Sequence, residues 1–243
     1  MAEQSLMRSF FSFFLIILFL GLLSVFSVAG HKKSSHSHLP QGFVYLHAID
    51  PSIDQKLTFA TTHNCVGKKL DGYQGHQAIC TLAAAKALKK AQKDLQKKYP
   101  HYSLRVLDAY RPVRAVKHLK RWATDLQDTK TKSQCYPHLN KKELAGHYVA
   151  SNQSSHSRGS AVDIVIINTK TGQPLDYGPE FFGKYSHIDY KGLRPNQKKN
   201  RYLLRKLMVK HNFKPYDAEF WHYTLNNEPF PKTYFDFVIK NEK

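Results

Sequence analysis

Residues 161–167, AVDIVII, constrain the fold more than any other stretch of this chain. Six of the seven positions are apolar and five are β-branched, the composition of a strand buried on both faces. The exception is Asp163. A carboxylate inside such a strand is costly unless a positive group faces it. The strand therefore asks for a metal ion at its side, or for a basic side chain such as Arg158. Just upstream, SSHSRGS sets His156 among Ser155, Ser157 and Gly159, small residues that let the backbone fold close to a ligand.

A chain of 243 residues is long enough for one ordinary domain with its own core. Residues 43–64 alternate apolar and polar in places and predict one or two strands, and KLDGY at 69–73 predicts a turn. Ile79, Leu82, Ala83, Leu88 and Leu95 recur at helical spacing with lysines on the other face. They predict a helix over 77–98, ended by Tyr99-Pro100. A strand follows at 103–112, and Pro112 suits the first turn of a second helix. The polar stretch 128–153 is an excursion of the kind that often wraps a site. A third helix over about 197–212 and a last strand at 219–225, EFWHYTL, complete the pattern. Strands and helices mix without regular βαβ alternation and without repeats, so the expected fold class is α+β.

The apolar run at 10–29 follows Arg8 and ends in Ser27-Val28-Ala29, small residues at both recognition positions of a signal-peptidase site. It predicts a signal peptide over 1–29. The competing reading is an uncleaved anchor, since the run is about long enough to span a bilayer; with cleavage no stable anchor remains. Either way the rest is exported, to the bacterial periplasm or beyond the cell. Residues 30–42 predict a polar linker with three histidines, which leaves 43–243 as the folded domain.

Net charge is +19, from 37 Lys and Arg against 18 Asp and Glu, and invites a nucleic-acid reading. Yet the basic residues are spread in short pairs such as Lys89-Lys90 and Lys198-Lys199, and no stacking motif of the RNA-recognition type occurs. No nucleic-acid partner is expected. An anionic envelope or wall polymer, or a merely solvated basic surface, answers the charge. Cys65, Cys80 and Cys135 are an odd number for an oxidising compartment. One disulfide with one free thiol is open to them, and the spacing names no pair. No Cys-x-x-Cys occurs, which argues against a thiolate zinc site.

A second segment carries candidate chemistry. EFWHY at 219–223 adds His222 and, three residues before it, Glu219, wedged among aromatics that lower the local dielectric. His156, Asp163 and His222 make a three-ligand set with an open fourth position, the pattern of a catalytic rather than a structural zinc. Glu219 would then take a proton from water and pass it to a leaving amine. Plainer readings stand beside these: with 14 His in the chain, either histidine can be a hydrogen-bonded structural residue, and Glu219 a surface acid. In DAYRP, 108–112, Arg111 sits at a strand-to-helix turn, where its planar fork can meet an oxyanion or a substrate carboxylate, or simply pair with Asp108.

SSHSRGSAVDIVI, EFWHY and DAYRPVRAV together resemble the signature segments of the zinc D,D-peptidases, the family of the VanX-type D-Ala-D-Ala dipeptidases and related D,D-carboxypeptidases. The S-x-H-x-x-G-x-A-x-D pattern is met by Ser154, His156, Gly159, Ala161 and Asp163, and E-x-W-H by Glu219, Trp221 and His222. FATTHNCVGKKLDGY at 59–73 and NEPFPKTYFDF at 227–237 resemble the dipeptidase branch in particular. The resemblance runs from about residue 43 to the C-terminus. It implies one Zn²⁺ per chain bound by His156, Asp163 and His222, Glu219 as general base and then acid, and Arg111 stabilising the tetrahedral intermediate. Ser154 and Ser155 would border the substrate. The implied fold is a compact α+β domain whose central antiparallel sheet holds the zinc, flanked by helices.

The implied activity is zinc-dependent hydrolysis of the D-Ala-D-Ala dipeptide to free D-alanine in cell-wall metabolism, through zinc-activated water. One segment departs from the pattern. Where the dipeptidase branch usually carries a Phe-Asp pair whose Asp holds the dipeptide's amine, YGPEFFGKYSH at 177–187 has Phe181-Phe182. An amine needs a carboxylate or carbonyl partner in a closed pocket, so Glu180 or Asp189 takes the role, or the amine is not recognised. In the last case the substrate becomes a peptidoglycan stem peptide and the enzyme a D,D-carboxypeptidase. A non-catalytic zinc wall-binding module is the third reading, disfavoured because such a module needs neither Glu219 nor Arg111.

Overall fold

The computed structural model describes residues 39–150, 153–179 and 182–242, which belong to one compact unit. The expected signal peptide and nearly all of the linker lie outside the described residues. In chain order the elements are β1 (Phe43–Tyr45), α1 (Leu46–Ile49), β2 (Asp54–Gln55), β3 (Ile79–Thr81), α2 (Leu82–Lys98), β4 (Tyr102–Asp108) and α3 (Val113–Thr124). Then follow α4 (Lys132–Cys135), β5 (Ala161–Asn168), β6 (Gln173–Pro174), α5 (Pro195–Lys210), β7 (Phe213–Tyr216) and β8 (Glu219–Leu225).

The centre is a six-stranded sheet in the order β2-β4-β5-β8-β7, with β6 pairing β5. β5 is its middle strand, and every residue from Ala161 to Ile167 is buried, as its apolar run requires. It pairs antiparallel with β4, β6 and β8, and β8 pairs antiparallel with β7. The expected antiparallel sheet is thus present with one exception, the short edge strand β2, which runs parallel to β4. The connection between them passes through α2, and such a crossover returns the chain in the same direction. β1 and β3 form a separate two-stranded sheet.

The second difference lies at the start of α2. Residues 79–81, placed in the helix by their spacing, are extended because they pair with β1. Thr81 then caps α2, its Oγ1 accepting the Ala84 N–H at 3.3 Å. Ala84, Ala85, Leu88, Ala91 and Leu95 face the core at i, i+3 and i+4 spacings, and the lysines face water.

The excursion after α3 is held by two features. Lys141 is buried with its ammonium 3.8 Å from the Trp122 ring centroid, and it donates to the Asp128 carbonyl. Cys65 and Cys135 form a disulfide across a separation of 70 residues, leaving Cys80 as a buried free thiol whose burial pushes its pKa up to about 12. No helix among the described residues is long and apolar enough to cross a membrane.

Candidate active site

His156 lies on a 3₁₀ turn, Ser155–Arg158, immediately before β5. Ser154 starts the turn, its Oγ accepting the His156 N–H at 3.3 Å. Gly159 ends it at φ +82°, where a Cβ would stand 2.2 Å from the Phe43 ring, so both the backbone conformation and the packing require glycine. The imidazole has a fixed orientation. Its Nδ1 stands 2.7 Å from the Ala109 carbonyl, which only accepts, so Nδ1 carries the proton and Nε2 presents a lone pair.

That lone pair faces the other two candidate ligands. Nε2 is 3.0 Å from His222 Nδ1 and 3.3 Å from Asp163 Oδ1. Asp163 and His222 are opposite one another on β5 and β8, with Nδ1 and Oδ1 3.0 Å apart. On its far side His222 Nε2 is 3.1 Å from Ser155 Oγ. One donor atom from each of the three residues lies within 4.8 Å of the others. Two imidazole nitrogens backed by outer hydrogen-bond partners, converging with a carboxylate oxygen, are the donor set that a divalent cation of zinc's type accepts. The fit is therefore good.

Glu219 stands three residues before His222, a spacing that puts two side chains on opposite faces of a regular strand. The β7–β8 ladder is not regular here. Its register shifts between Pro215 and Tyr216 so that Tyr216 pairs with Glu219. Phe220 and Tyr223, also three apart, are both buried in the core, while Glu219 and His222 both line the cavity. The irregularity brings Glu219 and His222 to the cavity together.

Arg111 follows β4. Its Nε and Nη2 each donate to Asp108 Oδ2 at 2.8 Å, and Nη2 also donates to Asp163 Oδ2 at 3.3 Å. The Phe59 ring lies 4.8 Å from the guanidinium carbon. Asp108 is itself held from behind by the Tyr73 hydroxyl, which donates to Oδ1 at 2.6 Å. Arg111 thus makes the ion pair with Asp108 and also stands on the cavity wall. Arg158, the other basic candidate for Asp163, pairs with Glu228 at 2.7 and 2.9 Å instead.

Electrostatics follow from this packing. Burial works against ionisation of Asp163, but His156 and His222 outweigh it and hold the carboxyl far below the ordinary range. Burial raises Glu219 to about 7, partly offset by His222 and reinforced by Asp163. Burial also opposes the charge on Arg111, and Asp108 and Asp163 more than compensate. A carboxyl able to take or give a proton near neutrality stands beside one that stays ionised.

Residues 40–240 match the D-Ala-D-Ala dipeptidase family of peptidases. The chain belongs to that family. It is 36% identical over 203 residues to a D-alanyl-D-alanine dipeptidase of Enterococcus faecalis, covering 83% of this chain and 100% of the relative. The Enterococcus faecium dipeptidase is 36% identical over 82% of this chain and 98% of its own length. The one from Streptomyces coelicolor is 34% identical over 81% and 98%.

In this family member, Arg111, His156, Asp163, Glu219 and His222 all line one cavity of about 840 Å³. Phe59, Tyr148, Phe182 and Trp221 also line it, as do both halves of the disulfide. Ser154 and Ser155 reach the cavity too, but their hydroxyls meet the His156 backbone and the His222 ring. Glu180 lies outside the described residues. The sequence named Asp108 as a pairing partner of Arg111 and gave no hint of Tyr73 behind it. The i, i+3 spacing of Asp108 and Arg111 was the available signal.

Proposed function

We propose that this chain hydrolyses the D-Ala-D-Ala dipeptide to two molecules of D-alanine, with His156, Asp163 and His222 holding one Zn²⁺. The observation that carries the reading is the convergence of those three donors with Glu219 and Arg111 in a single cavity of a D-Ala-D-Ala dipeptidase family member. A zinc ion bound there would polarise the substrate carbonyl and acidify a water molecule.

The chain's own groups supply the rest. Glu219, raised towards neutrality by burial, takes a proton from the attacking water and returns it to the amine nitrogen as the C–N bond breaks. The Arg111 guanidinium, clamped by Asp108, meets the charge that develops on the carbonyl oxygen. Asp163 and the two imidazoles would hold the ion through the atoms that converge there. Ser154 and Ser155 border the substrate only secondarily, since each already serves a histidine.

The cavity volume supports a second reading. About 840 Å³ is room for a drug-sized ligand and far more than two alanines fill. Phe182 lines it, supplying no acid for a dipeptide's amine. A stem peptide ending in D-Ala-D-Ala is then the alternative substrate, and the chain a D,D-carboxypeptidase.

Residues 1–29 are proposed to direct export to the periplasm or the medium, with 30–42 as linker and 43–243 as the catalytic domain. The Cys65–Cys135 disulfide supports an oxidising compartment, and the family match beginning at residue 40 supports the domain boundary. The test is D-alanine release from the dipeptide and from a stem pentapeptide, with and without Zn²⁺. Turnover of the dipeptide alone is expected; turnover of the pentapeptide would move the chain to the carboxypeptidases, and silence on both would overturn the catalytic reading.

A further inference from the structure

Lysines far apart in the sequence meet on one face of the fold. Lys86, Lys90, Lys93 and Lys97 project from one side of α2 at i, i+4, i+7 and i+11, and Lys199, Lys206 and Lys210 follow at i, i+7 and i+11 on α5, with Lys198 beside them. All eight are exposed. The two helices pack against each other. Lys210 Nζ and His211 Nε2, at the end of α5, reach Asp94 on α2 at 2.5 and 2.9 Å, so the outward sides are continuous. Leaving out Arg201, which is buried, the helices hold eleven Lys and Arg against one acid, Asp94, which is +10 of the chain's +19. No residue of either helix lines the catalytic cavity.

The same face is not purely polar. Among the described residues four large apolar side chains are exposed, and two of them, Tyr202 at 65% and Val209 at 49%, stand among the α5 lysines. They are seven residues apart and share one stripe of the helix. A soluble polyanion would pair with the lysines and leave both side chains in water. An anionic lipid surface meets both needs, because lysines pair with headgroup phosphates while tyrosine and valine enter the interfacial layer.

We propose that the α2–α5 face docks this protein on an anionic phospholipid surface while leaving the cavity clear. The inference is independent of the metal and of the substrate.

The test uses residues 37–243. They form a compact unit, and the E. faecalis relative is matched over its full length by 203 residues of this chain. This domain lacks the apolar run at 10–29, which would bind vesicles by itself. Cosedimentation with phosphatidylglycerol vesicles is expected, without binding to phosphatidylcholine vesicles, and with steep loss as salt is raised. Lys90→Gln, Lys93→Gln and Lys206→Gln combined should weaken binding at least tenfold, at roughly fivefold per lysine. Tyr202→Ser should weaken it several-fold while leaving binding to soluble polyphosphate unchanged. Thermal melting of each variant verifies the fold. Equal binding to both vesicle types, no binding to the anionic one, or retention by the lysine variant would overturn the proposal. A Tyr202→Ser variant that binds both lipid and polyphosphate like the parent would assign the face to a soluble polyanion instead.

Discussion

Asp163 on β5 and His222 on β8 are register partners, with Asp163 Oδ1 3.0 Å from His222 Nδ1. The sheet ladder itself therefore sets the separation of two of the three candidate ligands. Opposed residues of an antiparallel pair have Cβ atoms about 4.5–5.5 Å apart, close enough for both side chains to reach one ion. The third, His156, is brought in by the turn that feeds β5.

Glu219→Gln should keep the metal and lose about 10²–10⁴-fold in kcat, the range of general acid–base catalysis. Metal analysis of the purified variant beside its turnover number separates this from a ligand mutation. His156→Ala should lose the metal as well as the activity. A Glu219 variant with parental turnover would end the assignment.

Ser155→Ala tests whether that hydroxyl serves substrate or ligand. Its contact with His222 Nε2 at 3.1 Å predicts a 10–100-fold fall in metal affinity, with KM little changed once the site is saturated with Zn²⁺. Competition with a chromogenic chelator measures the first quantity and steady-state kinetics the second. A raised KM at full metal loading would make it a substrate contact.

Asp108→Asn should reduce activity through Arg111. The buried carboxylate accepts from Arg111 at 2.8 Å and from Tyr73 at 2.6 Å, and removing one partner of a buried pair costs ~3–5 kcal/mol. Urea titration reads the stability and kcat the misplaced guanidinium. Bound metal should stay near the parental level.

Gly159→Ala places a methyl 2.2 Å from the Phe43 ring in a left-handed backbone position. Steric overlap and the conformational penalty together predict a loss of about 2–4 kcal/mol. Denaturant unfolding checks this. Because the same residue ends the His156 turn, metal affinity should fall with it.

Reduction of Cys65–Cys135, or Cys65→Ser with Cys135→Ser, frees a loop of 70 residues. Chain entropy alone predicts about 4 kcal/mol of lost stability, seen as a lower Tm in reductant. Since both half-cystines line the cavity, KM should rise more than kcat falls.

Much of the site was legible because its chemistry is local in sequence. A charged residue in a β-branched run, a histidine in a small-residue turn and an E-x-x-H pair need no tertiary information to be noticed. The start of α2 was not legible. Ile79 fits a helical period as well as a strand, and only pairing with β1 decides between them. Arg201 gave no signal either. On α5 it looks like one more surface cation, yet it is buried. It donates to the carbonyls of Tyr177 at 2.7 Å, Pro179 at 3.1 Å and His187 at 2.6 Å, and stacks 4.1 Å from the Phe220 ring centroid.

The residue types and their order determined by themselves that 161–167 would be a buried strand, that His156, Asp163, Glu219 and His222 were the residues to watch, and that the chain would be strongly basic. Tertiary structure decided which face each residue occupies. The β7–β8 register shift turns Glu219 to the side of His222, the disulfide selects one of three cysteine pairings, and the packing of α2 on α5 gathers scattered lysines into one surface. The physical reason is common to all three. Periodicity reports only a residue's own strand or helix, whereas these outcomes depend on which distant segment packs against it.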